Sequence, residues 1–146
     1  MNGRLTEGLS FEWRAERHVE ELLAQLAQVE LPPEQAARIA ELAASARARR
    51  TRLERRLQAL RTPPRLASLP QPIDRIDEAL EVALALTRAA ADRYAALAEL
   101  SRRLADPESA FSCELNRIAA EEAAILLDGM LASAVDSTVG AGVVAL

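Results

Sequence analysis

The residues of this chain most suited to chemistry are carboxylates on helical faces. Glu121 and Glu122 sit together on an otherwise apolar stretch, "ELNRIAAEEAAILLDG". A helical metal site pairs a glutamate with a histidine three residues on, because that spacing puts both on one face. Three residues after Glu122 the chain carries Ile125. Adjacent Glu121 and Glu122 face different directions, so they are not a paired acid and base. Glu78 and Glu81 have the right spacing to reach one ion, but exposed helical carboxylates are common. His18 is the single histidine, and its two-residue offset from Glu16 turns it elsewhere, which reads as a surface or interface histidine. Cys113 is the single cysteine; it allows no internal disulfide and no cysteine metal cluster, and reads as a small buried helix residue. There is no Gly-rich phosphate loop, no Ser-His-Asp set and no Cys-His pair that a helical frame would bring together. Enzymatic function is therefore uncertain, and the sequence leans against it.

The elements that carry these residues are helices. The 146 residues are half apolar with only four aromatics, and alanine, leucine, arginine and glutamate dominate. That is the composition of one domain of long packed helices. Ser10 reads as an N-cap for a helix over 11–30, with Val19, Leu22, Leu23, Leu26 and Val29 on one face. "LPPE" breaks the pattern, and Pro33 opens a second helix to residue 61. Its seam reads Ile39, Leu42, Ala46, Arg49, Leu53, Leu57 and Leu60. The proline-rich "TPPRLASLPQP", 62–72, reads as an extended crossover. A third helix over 73–105 has the seam Ile76, Leu80, Ala83, Thr87, Ala90, Tyr94, Leu97 and Leu104. Pro107 opens a fourth, 107–134, with an expected inward seam of Phe111, Leu115, Ile118, Glu122, Ile125 and Leu126. Residues 1–134 form the single expected domain. The apolar tail, 135–146, reads as non-helical, and Val139, Val143, Val144 and Leu146 are its possible docking residues for a protein partner. The same tail is also compatible with packing back on the bundle or with disorder. Helix, turn, helix, long crossover, helix, turn, helix is an all-α antiparallel four-helix bundle.

Charge and hydropathy exclude several classes. The net charge is −4, with every basic residue an arginine. Residues 1–65 hold 12 Arg against 9 Asp and Glu, and 66–146 hold 6 against 13. A basic front and an acidic back favour packing of the halves on each other or on a second copy, so a homodimer or higher homo-oligomer is expected. The run "RARRTRLERR" spreads arginines around a helix without interleaved aromatics, which argues against nucleic acid. No stretch reaches 18 uninterrupted apolar residues, and the N-terminus lacks an apolar signal core, so a cytoplasmic protein that does not engage membranes is expected.

The stretch "RYAALAELSRRLADPESAFSCELNRIAAEE" resembles the rubrerythrin-type branch of the ferritin-like superfamily. Tyr94 matches an aromatic of that branch. Asp106-Pro107-Glu108 matches its turn, Ile118-Ala119 its Leu-Ala and Glu121-Glu122 its acidic pair. The first hairpin follows the same frame, with Pro33-Glu34 as the turn and Leu42-Ala43 as the Leu-Ala. The resemblance spans about residues 11–133, and it implies a ferritin-like bundle with two Glu-x-x-His pairs and two further glutamates around two irons. In that frame Glu16 and Glu122 are kept. The other ligand positions hold Ala46, Arg49, Thr87 and Ile125. The di-iron site is thus degenerate, and neither metal nor cofactor is expected. The alternative is an iron- or manganese-binding redox or storage protein with a site rebuilt on Glu16 and Glu122. With the metal lost, the guanidinium of Arg49 is expected to stand in for it in a buried polar cluster of Glu16, Arg49, Thr87 and Glu122. The function implied is a non-catalytic structural or protein-interaction module.

Overall fold

The computed structural model describes residues 3–65 and 73–145, with side chains described through residue 133. The chain forms four helices: α1 (Gly3–Leu26), α2 (Pro33–Ala59), α3 (Ile76–Arg103) and α4 (Pro107–Ala145). α1 packs on α2 and α3, and α4 packs on α3 and α2, so the helices stand at the corners of a square.

Paired residues give the directions. Glu16 meets Arg49 and Glu20 meets Arg47 between α1 and α2. Arg56 meets Ser109 and Arg52 meets Asn116 between α2 and α4. Arg102 meets Glu114 and Arg88 meets Asp128 between α3 and α4. Rising numbers on one helix meet falling numbers on its neighbour, so these pairs are antiparallel, and α2 and α3 run the same way. The C-terminal end of α2 and the N-terminal end of α3 therefore lie at opposite ends of the bundle.

Three helix boundaries differ from the sequence reading. α1 starts at Gly3, not at residue 11. Leu5, Leu9 and Trp13 are buried at four-residue spacing and carry the apolar face through Ser10. Gly8 permits the close approach of α3, because a Cβ there would lie 2.4 Å from Leu97 Cδ2. α1 also ends at Leu26, leaving Val29 42% exposed. The tail, expected to be non-helical, is helical: α4 runs to Ala145. No proline follows Pro107, and no described residue there has positive φ, so nothing in the backbone stops the helix. The side chains of Val139, Val143 and Val144, and all of Leu146, lie outside the described residues, as does the 66–72 part of the expected crossover.

The larger correction concerns the face of α4. Phe111, Ile118, Glu122 and Ile125 are exposed, and Leu115 and Leu126 are only half-buried. The inward face is the opposite one, built from Ser109, Cys113, Asn116, Ala120, Ala123 and Leu127. Small residues let α4 lie close to its neighbours, and the bulkier apolar residues stay outside.

Both short helix ends use a left-handed residue that is not glycine. Arg61 has φ 58° and Ala105 φ 54°. At each, two amides fold back on the last turn: Thr62 N–H donates to Leu57 O at 2.8 Å, and Asp106 N–H to Ser101 O at 2.9 Å. An L-residue pays a steric cost in this region. Ala105→Gly is expected to stabilise the fold by about 0.5–1 kcal/mol in chemical denaturation.

Asp106 then caps α4. Its Oδ1 accepts from Ser109 N–H at 3.0 Å and its Oδ2 from Ser109 Oγ–H at 2.6 Å. Burial alone would raise its carboxyl, but the two Ser109 hydrogen bonds and the Arg56 charge outweigh it and hold the pKa below the usual value. A carboxylate lowered on folding contributes stability above its unfolded pKa and loses it as pH falls through the folded one. Asp106→Ala is expected to cost about 1 kcal/mol at neutral pH. The gap to wild type should close below about pH 4, read from denaturation midpoints across pH.

Candidate functional site

The bundle interior holds two apolar clusters. One gathers Val19, Leu22, Leu42, Ala46, Leu80 and Leu127, and the other Leu9, Trp13, Leu53, Leu57, Tyr94 and Cys113. Between them the seams of α1, α2 and α3 each place one polar residue: Glu16 and Thr87, both 0% exposed, and Arg49, 1% exposed. The helical repeat makes this layer, since Glu16 lies between Trp13 and Val19, Arg49 between Ala46 and Leu53, and Thr87 between Ala83 and Ala90.

Arg49 and Glu16 form a two-point pair. Arg49 Nε–H donates to Glu16 Oε2, and Nη2–H to Oε1 at 3.3 Å. Tyr94 O–H donates to Glu16 Oε2 at 2.9 Å. The remaining arm of Arg49, Nη1–H, donates to Ser45 Oγ at 2.7 Å. Asn116 Nδ2–H donates to the Arg49 carbonyl at 3.1 Å and in turn accepts from Arg52 at 3.0 Å through Oδ1. Both oxygens of Glu16 are thus engaged, and all four helices contribute to one network. Burial lifts the Tyr94 hydroxyl well above its ordinary pKa, and the Glu16 and Glu12 charges add to it, so it stays a donor.

Two residues expected in this cluster lie outside the network. Thr87 is buried, but its hydroxyl donates to Ala83 O at 2.6 Å, one turn back along its own helix. Glu122 is exposed on the outer face of α4, remote from Glu16. Ile125, at the expected histidine position, is 75% exposed.

The sequence reading missed Ser45, Asn116 and Glu12, and it took Tyr94 only as a seam residue. Glu12 is 1% exposed and pairs with Arg93 of α3 through both carboxylate oxygens. Burial pushes its carboxyl up; Arg93 pulls it down and Glu16 adds to the rise. The available signal was spacing. Glu12, Glu16 and Glu20 recur every fourth residue on α1, and each takes an arginine: Arg93, Arg49 and Arg50. Ser45 stands one turn before Arg49 on the same face. Arg93 also lies over the Phe11 ring, 4.8 Å from its centroid.

The other candidate groups are not assembled. Glu78 and Glu81 are exposed. His18 is half-buried, and burial lowers its pKa. Cys113 is buried and its thiol is pushed up to about 12, so it is not a nucleophile at neutral pH. Among the described residues no three His, Cys, Asp or Glu side chains converge on a point that would hold a metal ion. Nor is any helix there long and apolar enough to cross a membrane.

The solved structures that resemble the chain share this arrangement of helices. A protein from Xanthomonas campestris pv. campestris superposes with a TM-score of 0.84 at 21% identity, covering 97% of each chain. An archaeal Dps homologue from Halobacterium salinarum gives 0.79 at 18% identity, over 88% of this chain and 79% of that one. The fold is that of the ferritin-like four-helix bundles. A dodecameric thioferritin, the bacterioferritin-related protein of Bacteroides fragilis, gives 0.78 at 17% identity, over 96% of this chain and 91% of that one. No protein-family model and no curated protein matches the sequence.

Within this ferritin-like bundle the Arg49–Glu16 pair is the feature most exposed to test. Removing one partner of a buried pair strands a charge and typically costs about 3–5 kcal/mol. Arg49→Leu is expected to lower stability by that order in urea denaturation. A change within about 0.5 kcal/mol would mean that the pair contributes nothing to the fold.

Proposed function

We propose that this chain is a non-catalytic, cytoplasmic ferritin-like bundle, of rubrerythrin-type descent, that acts as a structural or protein-interaction module. In this reading an internal ion pair has replaced the metal. The observation that carries it is the state of Glu16: its two oxygens are taken up by the guanidinium of Arg49 and by the Tyr94 hydroxyl.

The residues present do not fit a di-iron group. Such a centre takes four carboxylates and two histidines from the four helices. Here the inward positions carry Ala46, Arg49 and Thr87, and Arg49 already brings a fixed positive charge beside Glu16. A cation placed there would meet that charge in a medium of low dielectric. Glu122 cannot share an ion with Glu16 inside one chain, because one is exposed and the other fully buried. The alternative, an iron- or manganese-binding redox or storage protein, would need a site outside this core, formed between copies.

Elemental analysis of protein from iron-supplemented cells is the test, with iron and manganese titrations beside it. Metal far below one ion per chain, with no saturable uptake, is expected. One or two ions per chain with oxidase activity would replace this reading by the metal-binding one.

A further inference from the structure

The outward face of α2 is basic, in a chain whose net charge is −4. Ala44, Arg47, Ala48, Thr51, Arg52 and Arg55 line an open groove along it. Their spacings of three and four put them on one side of the helix. A second groove, between α2 and the start of α4, shares Arg52 and Arg55 and adds Arg56, Pro107, Phe111 and Leu115. The two grooves therefore form one surface. Along α2, from Ala44 to Arg55, it is about 17 Å long. Its floor is small, with Ala44 and Ala48 exposed, and its far end is apolar, with Phe111 65% exposed. Glu41, exposed one turn before Ala44, ends the basic stretch.

The arginines of this face are poorly answered within the chain. Arg49 and Arg50 turn to the glutamates of α1, and Arg56 is held by Asp106 and Glu108. Glu108 is the one carboxylate that lines either groove, and Arg56 takes it. Arg55 is exposed and has no ion-pair partner among the described residues. Arg52 donates to the neutral amide of Asn116. The Arg47 side chain is 74% exposed and stands 3.9 Å from Glu20, a carboxylate that Arg50 already holds. Arg52 lies three residues from Arg55 and four from Arg56, spacings at which like charges repel. That arrangement costs the helix a little, and an external anion would relieve it.

We propose that this face docks an acidic helical segment of another protein. Carboxylates three and four residues apart on that segment would pair with Arg47, Arg52 and Arg55. An apolar side chain at one end would meet Phe111 and Leu115, and Ala44 and Ala48 would let the segment lie close, as a helix does in a groove. A nucleic acid fits this surface less well. The chain as a whole repels a long polyanion, and the floor offers alanines in place of stacking rings. The inference rests on the protein-interaction reading and names the chemistry of the partner.

The test is fluorescence anisotropy of the full chain with a dye-labelled peptide of about 15 residues, long enough as a helix to span the face. The peptide carries glutamates three and four apart and a phenylalanine near one end. It is compared with the same peptide bearing glutamines and with a single-stranded oligonucleotide. At low salt the glutamate peptide should bind saturably and at least about 10-fold tighter than the glutamine one, with the difference shrinking as salt rises. Arg47→Glu together with Arg55→Glu should weaken binding about 10-fold or more, and Ala48→Trp, which fills the floor without changing charge, about 5-fold. Arg75→Glu with Arg88→Glu, the same change of charge at exposed positions on the α3 side, should leave it within about 2-fold. Circular dichroism and urea midpoints confirm that each variant folds. Equal binding of the two peptides would overturn the proposal. So would reversals on the α3 side that matter as much as those on α2, or an oligonucleotide that binds tighter than the peptide. Metal content is measured on the same wild-type sample, so failure of the docking face and failure of the metal-free reading are told apart.

Discussion

A carboxylate buried at the centre of a helical bundle must be answered, and the rest of this structure is arranged around the answer to Glu16. Isolated, it would be neutralised or would break the core. Here the guanidinium of Arg49 meets both its oxygens, and Tyr94 supplies a further donor. Ser45 and Asn116 then hold Arg49 by its side chain and its carbonyl. The network draws α1, α2, α3 and α4 to one level, between the two apolar clusters.

That placement explains what the pair contributes. Buried ion pairs are often no more stabilising than well-packed apolar residues of the same volume, because desolvation offsets the attraction. A directional, two-point contact nevertheless accepts one register, where leucines would accept several. Glu12 with Arg93 and Glu20 with Arg50 repeat the contact a turn away on either side, at the partly exposed edges of the same α1 face. The ladder of three glutamates aligns α1 with both of its neighbours. These arginines cross-link α1 to α2 and to α3.

Much of this was legible in the sequence. The seams of α2 and α3 are marked by large apolar residues at helical spacing, and Arg49 and Thr87 fall on those seams, so their burial follows from periodicity alone. α4 was misread because two faces compete: the bulky residues Phe111, Ile118 and Ile125 mark the outer one, while alanines, Cys113 and Asn116 mark the inner. Hydrophobicity by size points to the wrong face when close helix packing demands small residues. The same error placed Glu122 on the inward seam, whereas it is exposed. The start of α1 was obscured by Ser10, which reads locally as a cap, whereas Leu5 and Leu9 carry the buried face through it and Gly8 packs against Leu97. The helical course of 134–145 runs against its glycines and valines, and local propensity is a weak guide there.

The outer stripe of α4 and the inner polar layer follow from one division of labour. With a core filled by small residues and an ion-pair layer, α4 has its larger apolar side chains left over for a surface. The central claim is that Glu16 and Arg49 act as a single unit. A double-mutant cycle with Glu16→Leu, Arg49→Leu and the pair together tests it most directly. A coupling of roughly 3 kcal/mol is predicted, with the double variant near or above wild-type stability. Additive losses, with the double variant the least stable of all, would contradict the account.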